Sequence, residues 1–106
     1  MTYAVRFAPE ALDQILSLRR YIAAAATAEV AESYAGSVVA FCEGLGMFPH
    51  AGSPRDDIRP GLRTSSFKKR VVVAYAVDDE ARALTVVGLF YGGQDFSSLL
   101  VASDDD

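Results

Sequence analysis

Two amphipathic segments that follow each other almost without a break dominate the first half of the sequence. The first extends from about Pro9 to about Ala26, and the second from about Thr27 to Pro49. Two helices joined by so short a connection are expected to fold back on one another as an antiparallel hairpin. Such a hairpin has an apolar face to bury, so the second half of the chain has to supply the surface that covers it.

Each predicted helix has a start signal and an apolar stripe. Proline at the first helical position loses no hydrogen bond, which suits Pro9, and the Thr27 hydroxyl can cap the second helix. The stripes are predicted to consist of Leu12, Ile15, Leu16, Leu18 and Ile22 in the first helix, and of Val30, Tyr34, Val38, Phe41, Leu45 and Phe48 in the second. Spacings of three and four residues place each set on one face, so we interpret both stripes as core. The single cysteine, Cys42, is interpreted as a small buried residue.

Strand-like patterns lie on both sides of the hairpin. Polar and apolar residues alternate in Thr2 to Phe7, and after a polar connection three further strands are predicted at Leu62 to Phe67, Arg70 to Val77 and Ala83 to Tyr91. Lys68-Lys69 is predicted to form the first tight turn between them. The order predicts a two-layer α+β fold, β-α-α-β-β-β, with the helix hairpin packed on an antiparallel-rich sheet. The first strand is expected beside one of the last two.

Length and composition narrow the class of protein. A chain of 106 residues supports one core, so a single domain is predicted over residues 1–96, with a C-terminal tail over residues 97–106 whose acidic end is expected to be disordered. No run approaches the ~18 apolar residues of a membrane span, and no signal region precedes Pro9, so a cytoplasmic location without membrane contact is expected. The net charge of −4 argues against a uniformly basic nucleic-acid binder.

Few residues suggest chemistry. His50 is the single histidine, and no second histidine or cysteine could complete a metal site with it. Gly92-Gly93 follows a strand but lacks the lysine and the helix of a phosphate-binding loop. Asp56-Asp57 is interpreted as a solvated turn. The sequence therefore predicts no catalytic residue, no metal ligands and no cofactor.

One segment departs from this plain pattern. Six of the ten basic residues lie within sixteen positions: Arg55, Arg59, Arg63, Lys68, Lys69 and Arg70. Only Asp56 and Asp57 oppose them there, so the segment carries a net charge of +4 and the rest of the chain −8. Such polarity steers an anionic partner. Two interpretations stay open: a solvated loop and strand edge, or a surface for an acidic peptide, a nucleic acid or the acidic face of a target protein.

Several segments, in this order and spacing, resemble ParE-type toxins of the RelE/ParE superfamily. They are Ala8-Pro9-Glu10-Ala11, Tyr21-Ile22, residues 48–55, residues 58–63, the strand Val71 to Tyr75, and residues 87–95. The resemblance covers roughly Tyr3 to Phe96. It implies the RelE/ParE fold, a cognate ParD-like antitoxin and, for ParE-like members, inhibition of DNA gyrase by protein contact rather than by catalysis.

The binding surface follows from combining the resemblance with the basic segment. We expect the antitoxin to lay a segment across the helix hairpin and the sheet, with acidic side chains on the basic segment and apolar ones in grooves near Leu62, Phe67 and Phe90. Direct sequence-specific DNA binding is not expected. The predicted antitoxin- or target-binding residues are Arg55, Arg59, Leu62, Arg63, Phe67, Lys68, Lys69, Arg70, Phe90 and Tyr91.

Two alternatives stay open within the superfamily. RelE-like members cut ribosome-bound messenger RNA, for which Tyr91 would have to work with Arg63 or Arg70 from neighbouring strands. No arginine or lysine occurs from Thr85 onward, so the last strand departs from the RelE-like and the ParE-like patterns alike. The second alternative is a degenerate member that binds an antitoxin without being toxic.

Overall fold

The computed structural model describes residues 2–91 and places two helices against a five-stranded sheet. The elements are β1 (Ala4–Phe7), α1 (Pro9–Ala25), α2 (Ala28–Gly44), a 3₁₀ turn (Leu45–Met47), β2 (Ser53–Pro54), β3 (Leu62–Phe67), β4 (Val71–Asp78) and β5 (Ala83–Tyr91). This confirms the predicted α+β fold and the element order, apart from the added β2. The predicted C-terminal tail, residues 97–106, lies outside the described residues.

The sheet has the order β1-β5-β4-β3-β2. Strands β3, β4 and β5 form an antiparallel meander, and β1 runs parallel to β5, from the pair Ala4 and Ala83 to the pair Phe7 and Val86. The placement of the first strand beside one of the last two is therefore confirmed. A parallel neighbour requires a crossover, and the helix hairpin supplies it.

The two-residue strand β2 was not predicted. Ser53 pairs with Thr64, and Pro54 pairs with Arg63, at the outer edge of β3. Two residues are too few to show alternation, and proline lacks the N–H group that a ladder needs, so the sequence pattern is that of a loop. The pairing holds the connection after α2 against the beginning of β3.

Both helix starts are as predicted, but the stripe of α1 is shifted. Pro9 is the first residue of α1, and Thr27 caps α2 by accepting a hydrogen bond from the Val30 N–H at 3.1 Å. The buried residues of α1 are Ala11, Ile15 and Leu18. The prediction of Leu12 and Leu16 as core was wrong, since they are 49% and 44% exposed. The small Ala11 takes the buried position instead, and this rotates both leucines outward.

The predicted stripe of α2 was wrong at both ends. The helix buries Ala31, Ala35, Val38 and Cys42. Val30 is half exposed and Phe48 is 68% exposed, while Tyr34 and Phe41 pack at the border of the core. The reason is that small side chains occupy the buried positions, which a pattern based on large apolar residues overlooks. Burial raises the pKa of the Cys42 thiol to about 12, which leaves it protonated and unreactive.

Helix α1 is attached to the sheet at an irregular point of β5. Ala74 pairs with Gly88 but Tyr75 pairs with Val86, so Val87 is an extra residue and forms a bulge. Beyond the bulge, the Leu89 N–H donates a hydrogen bond to Gln14 Oε1 at 2.7 Å. This bond fixes α1 over the end of β5 and so determines what lies beside Tyr91.

Apolar residues are buried on both faces of the sheet. The main core lies under the helices and includes Leu18, Val38, Val73 and Tyr75. On the opposite face, a smaller cluster consists of Leu62, Ala74 and Phe90, with Ile58 and Val87 packed against it. Side chains alternate between the faces of a strand, which is why Ala74 belongs to the second cluster while its neighbours belong to the first.

Candidate functional site

The structure divides the basic segment into two groups at opposite ends of β3. Arg55 and Arg59 lie in the loop before β3, and Arg63 is its second residue. Lys68, Lys69 and Arg70 form the turn that follows it, as predicted for the two lysines. A strand of six residues is roughly 17 Å long at ~3.3 Å per residue, so the six cations do not form one compact patch.

The first group is engaged in holding the loops. Arg63 Nη1 donates hydrogen bonds to the carbonyl oxygens of His50, at 2.9 Å, and Gly52, at 2.7 Å. Arg55 makes two hydrogen bonds to the carboxylate of Asp57, each of 2.9 Å, and lowers the pKa of that carboxyl group. Arg63 and Arg55 therefore have local structural partners. Arg59 is partly buried in the same loop.

The predicted apolar grooves are largely closed. Leu62 is fully buried and Phe90 is 4% exposed, both in the cluster on the far face of the sheet. Phe67 is partly buried and packs against Tyr34 and Phe41, with ring centroids 5.7 and 5.2 Å apart. These three residues contribute to packing and do not line a common open groove.

The second group borders a cleft between the helix hairpin and the sheet. The cleft has a volume of about 480 Å³ and is lined by three aliphatic residues, three tyrosines and two cations: Leu18, Ile22 and Val71; Tyr21, Tyr34 and Tyr91; Lys69 and Arg70. Of the ten predicted binding residues, only Lys69, Arg70 and Tyr91 lie here. The structure thus brings together the end of β5 and the β3–β4 turn, and adds residues from both helices.

The turn that carries the cations has an uncommon backbone. Lys68 and Lys69 have φ values of 52° and 59°, and the Arg70 N–H closes the turn on the Phe67 carbonyl oxygen at 3.1 Å. Positive φ at both central residues is the requirement of a type I′ turn, which glycine and asparagine usually meet. Lys68 bends back, with its Nζ 6.0 Å from the ring centroid of Tyr34 and 5.3 Å from that of Phe67. Lys69 and Arg70 are exposed.

Tyrosines define the inner wall of the cleft. Tyr21 is 57% exposed, and its ring centroid lies 5.4 Å from that of Tyr91. The hydroxyl oxygen of Tyr34 is buried, and no group of residues 2–91 forms a hydrogen bond with it. A buried hydroxyl without a partner is unusual in a folded protein. The fold of residues 2–91 therefore leaves this buried polar atom unsatisfied.

The residues that the helices contribute were missed. Leu18 and Ile22 were interpreted as core stripe, and Tyr34 as a core aromatic residue. In the sequence, Tyr21 belongs only to the segments that resemble the ParE-type toxins. A tyrosine at the edge of an apolar stripe is a usable signal, since its ring suits the core and its hydroxyl needs a polar neighbour.

A second polar cluster lies around the loop after α2. Asp79 Oδ1 accepts a hydrogen bond from the Tyr3 hydroxyl at 2.7 Å and lies 2.8 Å from His50 Nε2. The Tyr3 bond, followed by His50, lowers the pKa of the Asp79 carboxyl group. The cluster is exposed to solvent and joins β1, the loop and the β4–β5 turn, so we interpret it as a fastening of the loop rather than as a site.

Within the described ranges, no group of three or more histidine, cysteine and acidic residues could hold a metal ion. Among the helices of residues 2–91, none has the length and apolar character that a membrane crossing requires. The cleft itself offers aromatic rings and two cations, which suits a ligand that is part apolar and part anionic.

Comparison with known proteins gives a family and two similar folds. The family described as "ParE toxin of type II toxin-antitoxin system, parDE" matches residues 5–96. No curated protein sequence matches the chain. A chain of the chromosomal ParDE toxin–antitoxin system from P. aeruginosa superposes with a TM-score of 0.73 and 13% identity, over 85% of this chain and 96% of that one.

The second solved structure is the toxin–antitoxin complex RelBE2 from Mycobacterium tuberculosis. One of its chains superposes with a TM-score of 0.67 and 20% identity, and the match covers 89% of this chain and 95% of that one. At such identities both likenesses show the fold alone.

Proposed function

The chain belongs to the ParE toxin family of type II toxin–antitoxin systems, and on that premise we propose that it blocks DNA gyrase by protein contact and is neutralised by a ParD-like antitoxin. The observation that carries the proposal is the family match, which spans residues 5–96. It includes both helices and every strand except the first residue of β1.

Two surface features support an antitoxin as partner. Leu12 and Leu16, about half exposed on the outer side of α1, offer apolar area that an amphipathic segment could cover. The cleft beside α1 adds Lys69 and Arg70 at its border. An antitoxin that crosses the hairpin and enters the cleft would meet apolar side chains first and cations next. In this proposal the basic contacts to the antitoxin come from Lys69 and Arg70 in the β3–β4 turn, because Arg63 is bonded to the carbonyl oxygens of the loop.

Induced expression in a bacterial host tests the target. Filamentation with a DNA-damage response, relieved by co-expression of the neighbouring gene, is expected of a gyrase inhibitor. Purified toxin should also inhibit supercoiling by gyrase, and addition of the purified antitoxin should restore it. Supercoiling that continues unchanged at saturating toxin would refute the gyrase proposal, whatever the growth phenotype.

A second candidate function is ribosome-dependent cleavage of messenger RNA. One observation favours it. RelE-like chemistry would need Tyr91 beside Arg63 or Arg70, and Tyr91 lines the same cleft as Arg70 and Lys69. Arg63 instead donates a hydrogen bond to the His50 carbonyl oxygen in the loop. Cleavage that is lost in Tyr91→Phe would support this function. Growth arrest with intact messages would exclude it.

The third possibility is a member that binds its antitoxin but is not toxic. Its basis in the sequence is the last strand, where no arginine or lysine follows Thr85. Normal growth on expression without the antitoxin, together with stable binding of the antitoxin in vitro, would support it.

A further inference from the structure

We propose that the turn after α2 makes the toxin's contact with its target protein, through the exposed side chains of Met47 and Phe48 and the acidic hollow beside them. The complementary part of the target would be a segment that carries an apolar and a basic side chain. This inference rests on the proposed inhibition of DNA gyrase by protein contact, and it names the surface of the toxin that makes this contact.

Met47 and Phe48 are the most exposed large apolar side chains of residues 2–91, at 60% and 68%. They are consecutive residues at the end of the 3₁₀ turn, so they expose apolar area at one place on the surface. Single exposed apolar residues are common and need no partner, whereas apolar area gathered at one place marks interaction sites. Methionine and aromatic residues are also enriched at protein interfaces.

The backbone of this turn is fixed before any partner binds. The Phe48 N–H donates a hydrogen bond to the Leu45 carbonyl oxygen at 3.2 Å, and the Tyr3 N–H donates one to the Gly46 carbonyl oxygen at 2.8 Å. A Cβ at Gly46 would collide with the Tyr3 carbonyl oxygen, so this close approach of β1 requires glycine. A preformed backbone lowers the ordering cost of binding, which favours the use of this turn as a contact surface.

The loop that follows the turn is fastened to the sheet at two further points. His50 Nε2 lies 2.8 Å from Asp79 Oδ1, and the Gly52 N–H donates a hydrogen bond to the Tyr75 hydroxyl at 3.0 Å. Both contacts join residues that are far apart in the sequence. They restrain a segment whose two largest apolar side chains are exposed, so the restraint holds these side chains in place without burying them.

The surroundings of the exposed pair are acidic. A hollow of about 340 Å³ beside the turn is lined by Thr2, Tyr3, Val5, Glu43, Gly46 and Met47. Glu43 is exposed, and it forms no ion pair within residues 2–91. Residues 78–82, which reach this end through the bond from the Tyr3 hydroxyl to Asp79, hold three acidic residues and one arginine. A basic side chain next to an apolar one therefore complements this end of the molecule.

Charge separates the target from the other partners. Lys69 and Arg70, the cations proposed for the antitoxin, precede β4, while Asp79 follows it. The eight residues of β4 span roughly 26 Å at ~3.3 Å per residue, so the acidic end is remote from those cations. An acidic antitoxin segment and a nucleic acid would both be repelled there. Twofold pairing of two copies uses the same patch twice and would bring the two Glu43 carboxylates towards each other.

The test compares two properties of the purified full-length toxin: the concentration that half-inhibits supercoiling by DNA gyrase, and the affinity for the antitoxin. Met47→Ser/Phe48→Ser should raise the inhibitory concentration about tenfold or more, because a few apolar and aromatic anchors supply most of the energy of an interface. Glu43→Lys should raise it about threefold or more, since the reversed charge repels a basic segment. The affinity for the antitoxin should stay within about twofold in both variants.

Matched controls lie on the helices. Val30→Ser removes a half-exposed apolar side chain, and Asp13→Lys reverses an exposed acidic one. Both should leave the inhibition of gyrase within about twofold of wild type, as is usual for surface substitutions away from a contact. Circular dichroism melts establish that every variant is folded.

The outcomes separate this inference from the proposed function. Wild-type toxin that does not inhibit gyrase overturns both. Inhibition that is the same in wild type, Met47→Ser/Phe48→Ser and Glu43→Lys overturns the contact surface and leaves the gyrase proposal intact. Loss of antitoxin affinity in Met47→Ser/Phe48→Ser would assign the pair to the antitoxin. A wild-type dimer that this variant dissociates, measured by light scattering, would assign it to a second copy, and either result overturns the inference.

Discussion

Tyr34→Phe should make the isolated toxin more stable, although it removes a polar atom from a partly buried side chain. The Tyr34 hydroxyl has lost its contact with water and gains no hydrogen bond from residues 2–91. Phenylalanine keeps the edge contact with Phe67, whose ring centroid lies 5.7 Å away, and the position beneath Lys68. The substitution therefore removes the unsatisfied group and leaves the packing of the ring unchanged.

The magnitude follows from the desolvation of one hydroxyl. A buried donor without a partner costs about 1–3 kcal/mol, and the oxygen itself contributes a few van der Waals contacts worth about 0.1–0.2 kcal/mol each. The net effect expected for Tyr34→Phe is an increase of about 1 kcal/mol in the free energy of unfolding. For a domain of this size, that corresponds to a rise in Tm of roughly 4–8 °C.

The matched control is Tyr75→Phe, which removes the same atom from a different setting. The Tyr75 hydroxyl accepts a hydrogen bond from the Gly52 N–H at 3.0 Å. Its removal leaves this buried N–H without a partner and should lower the free energy of unfolding by about 1–3 kcal/mol. Urea and thermal unfolding of the three proteins, followed by circular dichroism, measure both differences. A Tyr34→Phe protein that is less stable than wild type would show that the hydroxyl has a hydrogen-bond partner in the folded toxin.

Three further predictions concern the rest of the fold. In Gly52→Ala, the new Cβ would lie 2.8 Å from the Thr64 carbonyl oxygen and against the Tyr75 hydroxyl. Urea unfolding should therefore show a free energy of unfolding about 1–3 kcal/mol lower than that of wild type, and adding Tyr75→Phe should restore part of it. Thr27→Ala removes the cap of α2 and should lower the free energy of unfolding by about 1 kcal/mol in the same assay, whereas Thr27→Ser should not. The pKa of the Asp79 carboxyl group is lowered in the folded state. The stabilisation that its ionised form gives to the fold is therefore present at neutral pH and is lost as the pH falls through that lowered value, below 3.8. Thermal melts of Asp79→Asn should therefore show less destabilisation on acidification than those of wild type.

The fold could be predicted because its main signals are local. Pro9 and Thr27 mark the helix starts, and alternation marks β1. Runs rich in valine and in other β-branched or aromatic residues mark β4 and β5. The placement of β1 followed from the need to satisfy its backbone groups. The strand β2 could not be predicted, since Ser53–Pro54 pairs through a tertiary contact with β3 and carries no pattern of its own.

The candidate site was predictable only in part, because its residues belong to two helices, two strands and the β3–β4 turn. The charge of the β3–β4 turn was visible in the sequence, and so was Tyr91 at the end of a strand. Which helix residues face them depends on the rotation of α1. That rotation is set by Ala11 and by the hydrogen bond that Gln14 accepts from the Leu89 N–H, beyond the bulge of β5. A pattern of large apolar residues contains neither piece of information, which is why Leu12 was assigned to the core.

The division of the basic segment decides how the binding surface should be tested. Charge density alone favours a test in which the charges of Arg59 and Arg63 are reversed. Weaker antitoxin binding by that variant would agree with the expectation that acidic side chains of the antitoxin contact the basic segment. Arg63, however, donates to the carbonyl oxygens of His50 and Gly52, so its reversal would free the loop after α2 and lower binding without any direct contact. Lys69 and Arg70 have no such role in the described structure, and the turn that carries them is closed by backbone groups. A loss of affinity there, with unchanged stability, would therefore report on contact with the partner, whereas the same loss at Arg63 would not distinguish contact from loop displacement.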